Sequence, residues 1–138
     1  MTEHNMKFGW KIYFPDTWSC EYIEENDEYL FRPSKNSLTV HIKPFRKEKD
    51  GKPIPIEEVG QAYRESVPMT ALRKRHHLIY VKGCYAEVFE DMEKGIVHMY
   101  AGIYTDGNLL SIDIFSRSKT NCEKTLKFIG TTKKDLTQ

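Results

Sequence analysis

Two runs of alternating apolar residues, Ile96–Tyr104 and Leu109–Phe115, flank the dipeptide Asp106-Gly107. No other stretch restricts the folding of this chain so tightly. A period of two sends successive side chains to opposite faces of a strand. Asp-Gly favours a two-residue type I′ turn, whose twist matches that of paired strands. That loop length sets a register: Ile103 opposite Leu110, Ala101 opposite Ile112, and Met99 opposite Ile114. All six residues are apolar and share one face, so a slip of one residue would expose the whole set. The chain therefore calls for an antiparallel sheet with one buried face.

Other segments supply more strands. Phe8, Trp10, Ile12 and Phe14 alternate with Lys7, Gly9, Lys11 and Tyr13, the pattern of a half-buried strand. Pro15-Asp16 supplies a turn, so Lys11–Ser19 reads as an opening hairpin with Trp18–Glu24 as its second strand. Glu28–Arg32 is a third strand, stopped by Pro33. Leu38, Val40 and Ile42 mark a fourth that ends at Pro44. The segment Arg46–Pro55, with Asp50-Gly51, reads as a polar connecting loop, with recognition as its alternative role.

The period then changes. Ile56, Val59, Gly60, Tyr63 and Val67 fall on one helical face, with Pro55 before it and Pro68 ending it. Met69–Arg75 continues as a second helical piece. Leu78–Glu90 reads as a long strand with a bulge at Lys82-Gly83, and Glu93-Lys94-Gly95 as a turn. Thr120 and Glu123 fit a capping box for a last helix. Its apolar stripe is Cys122, Leu126 and Ile129, and Gly130 stops it.

The order is ββββ-α-βββ-α. It predicts an α+β fold, an antiparallel sheet of six or seven strands flanked by two main helices. A length of 138 residues suits a single domain over 1–138. Hydrophobic residues at 39% and charged residues at 30% are enough for a core without disulfides or metals. The near balance of 21 Lys and Arg against 20 Asp and Glu argues against a nucleic-acid binder. The opening residues lack the apolar centre of a signal peptide, and no run is long enough to span a membrane. Cys20, Cys84 and Cys122 are scattered and odd in number, which suits a reducing compartment. Together these point to the cytoplasm.

The arrangement resembles the PsbP/Mog/DcrB-like families. The residues that carry the resemblance are the opening Phe14-Pro15-Asp16-Thr17-Trp18 turn, the Tyr29-Leu30-Phe31 strand, the apolar Leu38–Ile42 strand, and Leu110–Phe115 followed by a helix. The resemblance implies an antiparallel sheet flanked by helices, and a binding or adaptor role. Members of those families serve a photosystem assembly, a small GTPase, the bacterial envelope, or the chaperoning of type VI secretion effectors. No shared catalytic residues come with the fold, and no partner carries over, because fold does not fix function.

The hairpin register also defines a second sheet face. It carries His98, Tyr100, Tyr104, Ser111, Asp113 and Phe115; Tyr85, Glu87 and Phe89 join it, with Thr39, His41 and Lys43 beyond. An aromatic face with a few polar groups suits a protein partner or an apolar ligand. The binding residues expected are Tyr85, Phe89, His98, Tyr100, Tyr104, Asp113 and Phe115. The competing expectation is that the second helix or a long loop covers this face as another core layer. A chaperone-like module shielding an apolar client segment is one alternative function. A hydrolase or transferase using His98, Asp113 and Glu87 is another. No nucleophile–base spacing and no Gly-rich phosphate loop stands out, so no catalytic residue is assigned. Cys122, near a helix N-terminus, reads as an inert core thiol rather than a reactive one. The run Arg73-Lys74-Arg75-His76-His77 reads as a solvated helix end. No metal or cofactor is expected, and self-association through the aromatic face is a further outcome.

Overall fold

The computed structural model describes residues 1–35, 37–76 and 79–135. Its strands are β1 (Thr2–Met6), β2 (Trp10–Phe14), β3 (Ser19–Ile23), β4 (Glu28–Arg32), β5 (Thr39–Arg46), β6 (Glu48–Lys49), β7 (Lys52–Pro53), β8 (Tyr85–Glu93), β9 (Ile96–Thr105), β10 (Asn108–Ser116) and β11 (Lys133–Lys134). Helices are α1 (Ile56–Ser66), α2 (Met69–Leu72) and α3 (Lys119–Ile129). The class is α+β. Six strands form an antiparallel sheet in the order β3-β4-β5-β10-β9-β8, and a small sheet has the order β1-β2-β11.

The β9–β10 register is the one the sequence predicts: Ile103 pairs with Leu110, Ala101 with Ile112 and Met99 with Ile114. All six are essentially inaccessible to solvent. They form one core with Trp10, Ile12 and Phe14 of β2 and with Cys122, Leu126 and Ile129 of α3. The core thus lies between the six-stranded sheet on one side and β2 with α3 on the other. Helices α1 and α2 pack on the sheet's opposite face, where Tyr63, Val67 and Ala71 meet Phe89.

Several local expectations are corrected. The Asp106-Gly107 turn is not type I′: Gly107 has a φ of 68°, but Asp106 is not among the residues with positive φ. Tertiary bonds hold this turn. Gly107 donates to the Ile54 carbonyl and accepts from the Lys47 amide, both at 2.8 Å, and the Asp106 carboxylate accepts from the Ile56 amide at 2.8 Å. The I′ signature belongs instead to Asp50-Gly51 and Lys94-Gly95, where both residues have positive φ. Asp50-Gly51 makes a two-strand hairpin, β6–β7, out of the segment expected to be a plain loop.

The opening hairpin is also different. Strand β2 pairs with the unforeseen β1 and β11, not with β3. Phe8 is not in a strand; it takes a φ of 65° in the tight link between β1 and β2. The Pro15–Trp18 turn, closed by a 3.0 Å bond from the Trp18 amide to the Pro15 carbonyl, is a corner between the two sheets. Strand β5 does not stop at Pro44 but runs to Arg46. Pro44 lies beyond the last β4–β5 pair, where β5 has a neighbour on one side only.

The strand expected over Leu78–Glu90 is Tyr85–Glu93, and Lys82-Gly83 is a turn rather than a bulge. Leu78 and His77 lie outside the described residues. The second helical piece stops at Leu72. From there the chain crosses the outer edge of β8. The Glu90 amide donates to the Lys74 carbonyl, the His76 amide donates to the Val88 carbonyl, and Arg75 bridges to Phe89. Residues 74–76 of the basic run are therefore bound to the sheet rather than forming a solvated helix end. Lys74 pairs with the buried Glu90, and Arg75 with the buried Glu87.

The last helix starts two residues before the expected position. Ser118 is its N-cap and accepts a bond from the Asn121 amide at 3.2 Å, so Thr120 lies inside the first turn. Ser118→Ala should lower stability by about 1 kcal/mol, whereas Thr120→Ala should change it by less than about 0.5 kcal/mol. Denaturant unfolding of the two variants checks the order. Gly130 follows the last helical residue, as expected.

Candidate functional site

The pairing of β5, β10, β9 and β8 sets the second sheet face out in rows. One row runs Thr39, Phe115, His98, Asp91. The next runs Leu30, His41, Asp113, Tyr100, Phe89. The third is Lys43, Ser111, Gly102, Glu87, and the fourth Phe45, Leu109, Tyr104, Tyr85. All the residues expected on this face do share it. What divides them is the cover.

Helix α1 lies over the third and fourth rows through two reciprocal contacts. The Tyr63 ring of the helix rests on Gly102 of β9, and the Tyr104 ring of β9 rests on Gly60 of the helix. Burial pushes the pKa of the Tyr63 phenol far above the usual tyrosine range. Phe89 and Tyr104 are buried beneath the helices, leaving 3% and 5% of their surface exposed. Tyr85 stacks on Tyr104 at 6.0 Å and is exposed. The cover comes from the first helix and α2, not from the last helix, which packs on the opposite face.

Glu87 is buried under the same cover. Arg64 Nη1 donates to both its carboxylate oxygens at 3.1 Å, and Arg75 donates to one of them. This carboxylate is committed to two guanidinium groups. Glu87 and Asp113 both lie close enough to Tyr63 for their charges to raise the pKa of its phenol further. His98 and Asp113 do meet, with Nε2 and Oδ1 2.7 Å apart. Glu87 does not join them.

The first two rows remain only partly covered. Here four rings cross three adjacent strands. His41 meets Phe115 edge-on at 5.5 Å, Phe115 lies 4.1 Å from His98, and His98 stacks on Tyr100 at 3.6 Å. Each histidine is held by a carboxylate: His98 by Asp113, and His41 by Glu28, with Nδ1 and Oε1 2.6 Å apart. These bonds fix the ring planes. His98, Tyr100, Asp113, Phe115 and His41 are all half-buried, so part of each side chain reaches solvent.

Glu28 as the partner of His41, and Asp91 beside His98, were not singled out from the sequence. The alternation of Glu28, Leu30 and Arg32 carried a signal for Glu28, but nothing local gave the β4–β5 register. Cys122 is fully buried, and burial pushes its thiol up to about 11, as expected of a core cysteine. Among the described residues, no cluster of three or more His, Cys, Asp or Glu side chains forms a metal-binding arrangement. Nor is any described helix long and apolar enough to cross a membrane. No protein-family model matches this chain, and no match was found among curated proteins.

Proposed function

We propose that this protein is a non-catalytic binding module that holds a protein partner against the uncovered strip of its six-stranded sheet. The observation that carries the reading is the ring series His41–Phe115–His98–Tyr100, left partly open beside α1 and α2 and locked by two carboxylates. Rigid aromatic rings offer large contact area at little entropic cost, which is why they concentrate at interfaces. The flanking hydrogen bonds hold the rings in place before binding, so little ordering is left for the complex to impose. The binding reading is supported over a hydrolase or transferase on His98, Asp113 and Glu87 because Glu87 bonds to Arg64 and Arg75 rather than to the His98–Asp113 pair. The cytoplasm is the compartment that three free cysteines suit.

A second reading rests on a separate apolar hollow of about 310 Å³ between α1 and the β5–β10 edge, lined by Phe45, Ile54, Val59 and Leu109. It would suit an apolar ligand or client segment. One experiment separates the two. The tagged wild type, His98→Ala/Phe115→Ala and Leu109→Glu are compared for partner capture from the native cell, with thermal unfolding as the folding control. The double variant should stay folded and lose the captured partner. Unchanged capture by it, with loss in Leu109→Glu, would move the site to the hollow.

A further inference from the structure

Where β8 turns into β9, the open strip dips into a hollow of about 270 Å³. Its floor is the ring group His98, Tyr100 and Phe115, and Asp91 and Glu93 stand along one side. Asp91 is fixed: the Thr70 hydroxyl donates to Oδ2 and the Met92 amide to Oδ1, both at 2.8 Å. The Thr70 bond is the main cause that holds the Asp91 carboxyl below its ordinary pKa, so it is ionised at neutral pH. A third carboxylate, Asp113, sits on His98 one strand away. Asp113 holds the His98 ring but does not itself line the hollow, whose two carboxylates, Asp91 and Glu93, stand against one lysine, Lys94.

This combination selects its occupant by chemistry. An anion would meet two carboxylates against a single ammonium group. A purely apolar group would strip water from them with nothing in return. A guanidinium satisfies both surfaces: its flat, weakly hydrated face stacks on aromatic rings, and its edge donates paired hydrogen bonds to a carboxylate. We propose that the hollow between the β8–β9 turn and the His98–Tyr100–Phe115 rings takes an arginine side chain from a basic segment of the partner. The assignment rests on the reading that this strip binds protein, and it names the residue type that the strip recognises.

The test uses the full chain, labelled with nitrogen-15 and titrated with acetyl-tetra-arginine amide and with its neutral, isosteric tetra-citrulline counterpart. The arginine peptide should shift the amide signals of residues around His98, Tyr100 and Phe115. The citrulline peptide should bind about tenfold more weakly or less, since it keeps the planar shape and loses the charge. Asp91→Asn/Glu93→Gln should weaken arginine binding by roughly tenfold, and the exposed Glu93→Gln alone should weaken it by a smaller factor without endangering the fold. Glu24→Gln/Glu25→Gln makes the same change of net charge away from the hollow and should leave affinity unchanged. Equal binding of both peptides, equal weakening by both double variants, or signal shifts confined to another surface would overturn the assignment. The capture experiment is read independently. If partner capture requires His98 and Phe115 while the arginine peptide fails to bind, the arginine assignment falls and the binding face stands. If the His98→Ala/Phe115→Ala variant captures everything, the binding face falls as well.

Discussion

Phe14→Ala is expected to cost about 3–5 kcal/mol, the largest loss from any single truncation considered, and to lower the thermal midpoint by several degrees per kcal/mol. Phe14 is fully buried at the end of β2. Its ring stacks on Trp18 at 4.7 Å and also meets Phe31 at 4.5 Å and Phe128 at 5.9 Å. Those three neighbours belong to the corner turn, to β4 and to α3. One side chain thus joins the small sheet, the large sheet and the last helix. Its removal leaves a cavity among rings too stiff to collapse into it. Phe14→Leu keeps most of the volume and should cost well under half as much. Urea unfolding of the two variants measures the difference, and similar losses would show that the ring contacts themselves matter more than the filled space.

Gly102→Ala comes second. A methyl group there would lie inside the Tyr63 ring, closer than any real contact allows. The flat ring has no room to retreat, because Gly60, one turn earlier on α1, is pressed against Tyr104 in the same way; a methyl at Gly60 would sit 2.7 Å from the Tyr104 hydroxyl oxygen. Gly102 has no positive φ, so the requirement is for space rather than for backbone freedom. The expected cost is about 1–3 kcal/mol or more, delivered as undocking of α1 rather than general loosening. Hydrogen exchange should show α1 amides losing protection while those of β9 and β10 keep most of theirs. Uniform loss across the sheet would contradict this. Undocking would also uncover Phe89 and Tyr104, so dye binding to exposed apolar surface should rise in this variant.

Local pattern carried much of the fold into view. The alternation along β9 and β10 gave both faces and the register, and the stripe Val59, Gly60, Tyr63, Val67 gave the buried side of α1. Where the reading failed, distant contacts outweighed local preference. The Asp106-Gly107 turn departs from type I′ because Ile54, Lys47 and Ile56 bond to it. The Thr2–Met6 strand is mostly polar and exposed, and it exists because β2 offers it an edge. The candidate site was legible as a set of residues sharing a face. Which of them remain open was not, since that depends on where α1 and α2 settle. Gly60 and Gly102, forty-two residues apart, decide it by letting two rings lie flat. A glycine in a helix and a glycine in a strand each look like a weakness when read alone.

The crossing of the chain over β8 has a consequence for growth of the sheet beyond one molecule. Residues 74–76 occupy the middle of that outer edge, while β3 at the other end has no further strand beside it among the described residues. Fibrous stacking of sheets side by side needs two free margins per molecule, one to receive and one to offer. Among the described residues, the six-stranded sheet has one margin clear of a crossing segment, that of β3. Pairing of two such sheets through β3 closes about a two-fold axis and stops at a pair, so the segment across β8 guards the six-stranded sheet against open-ended growth.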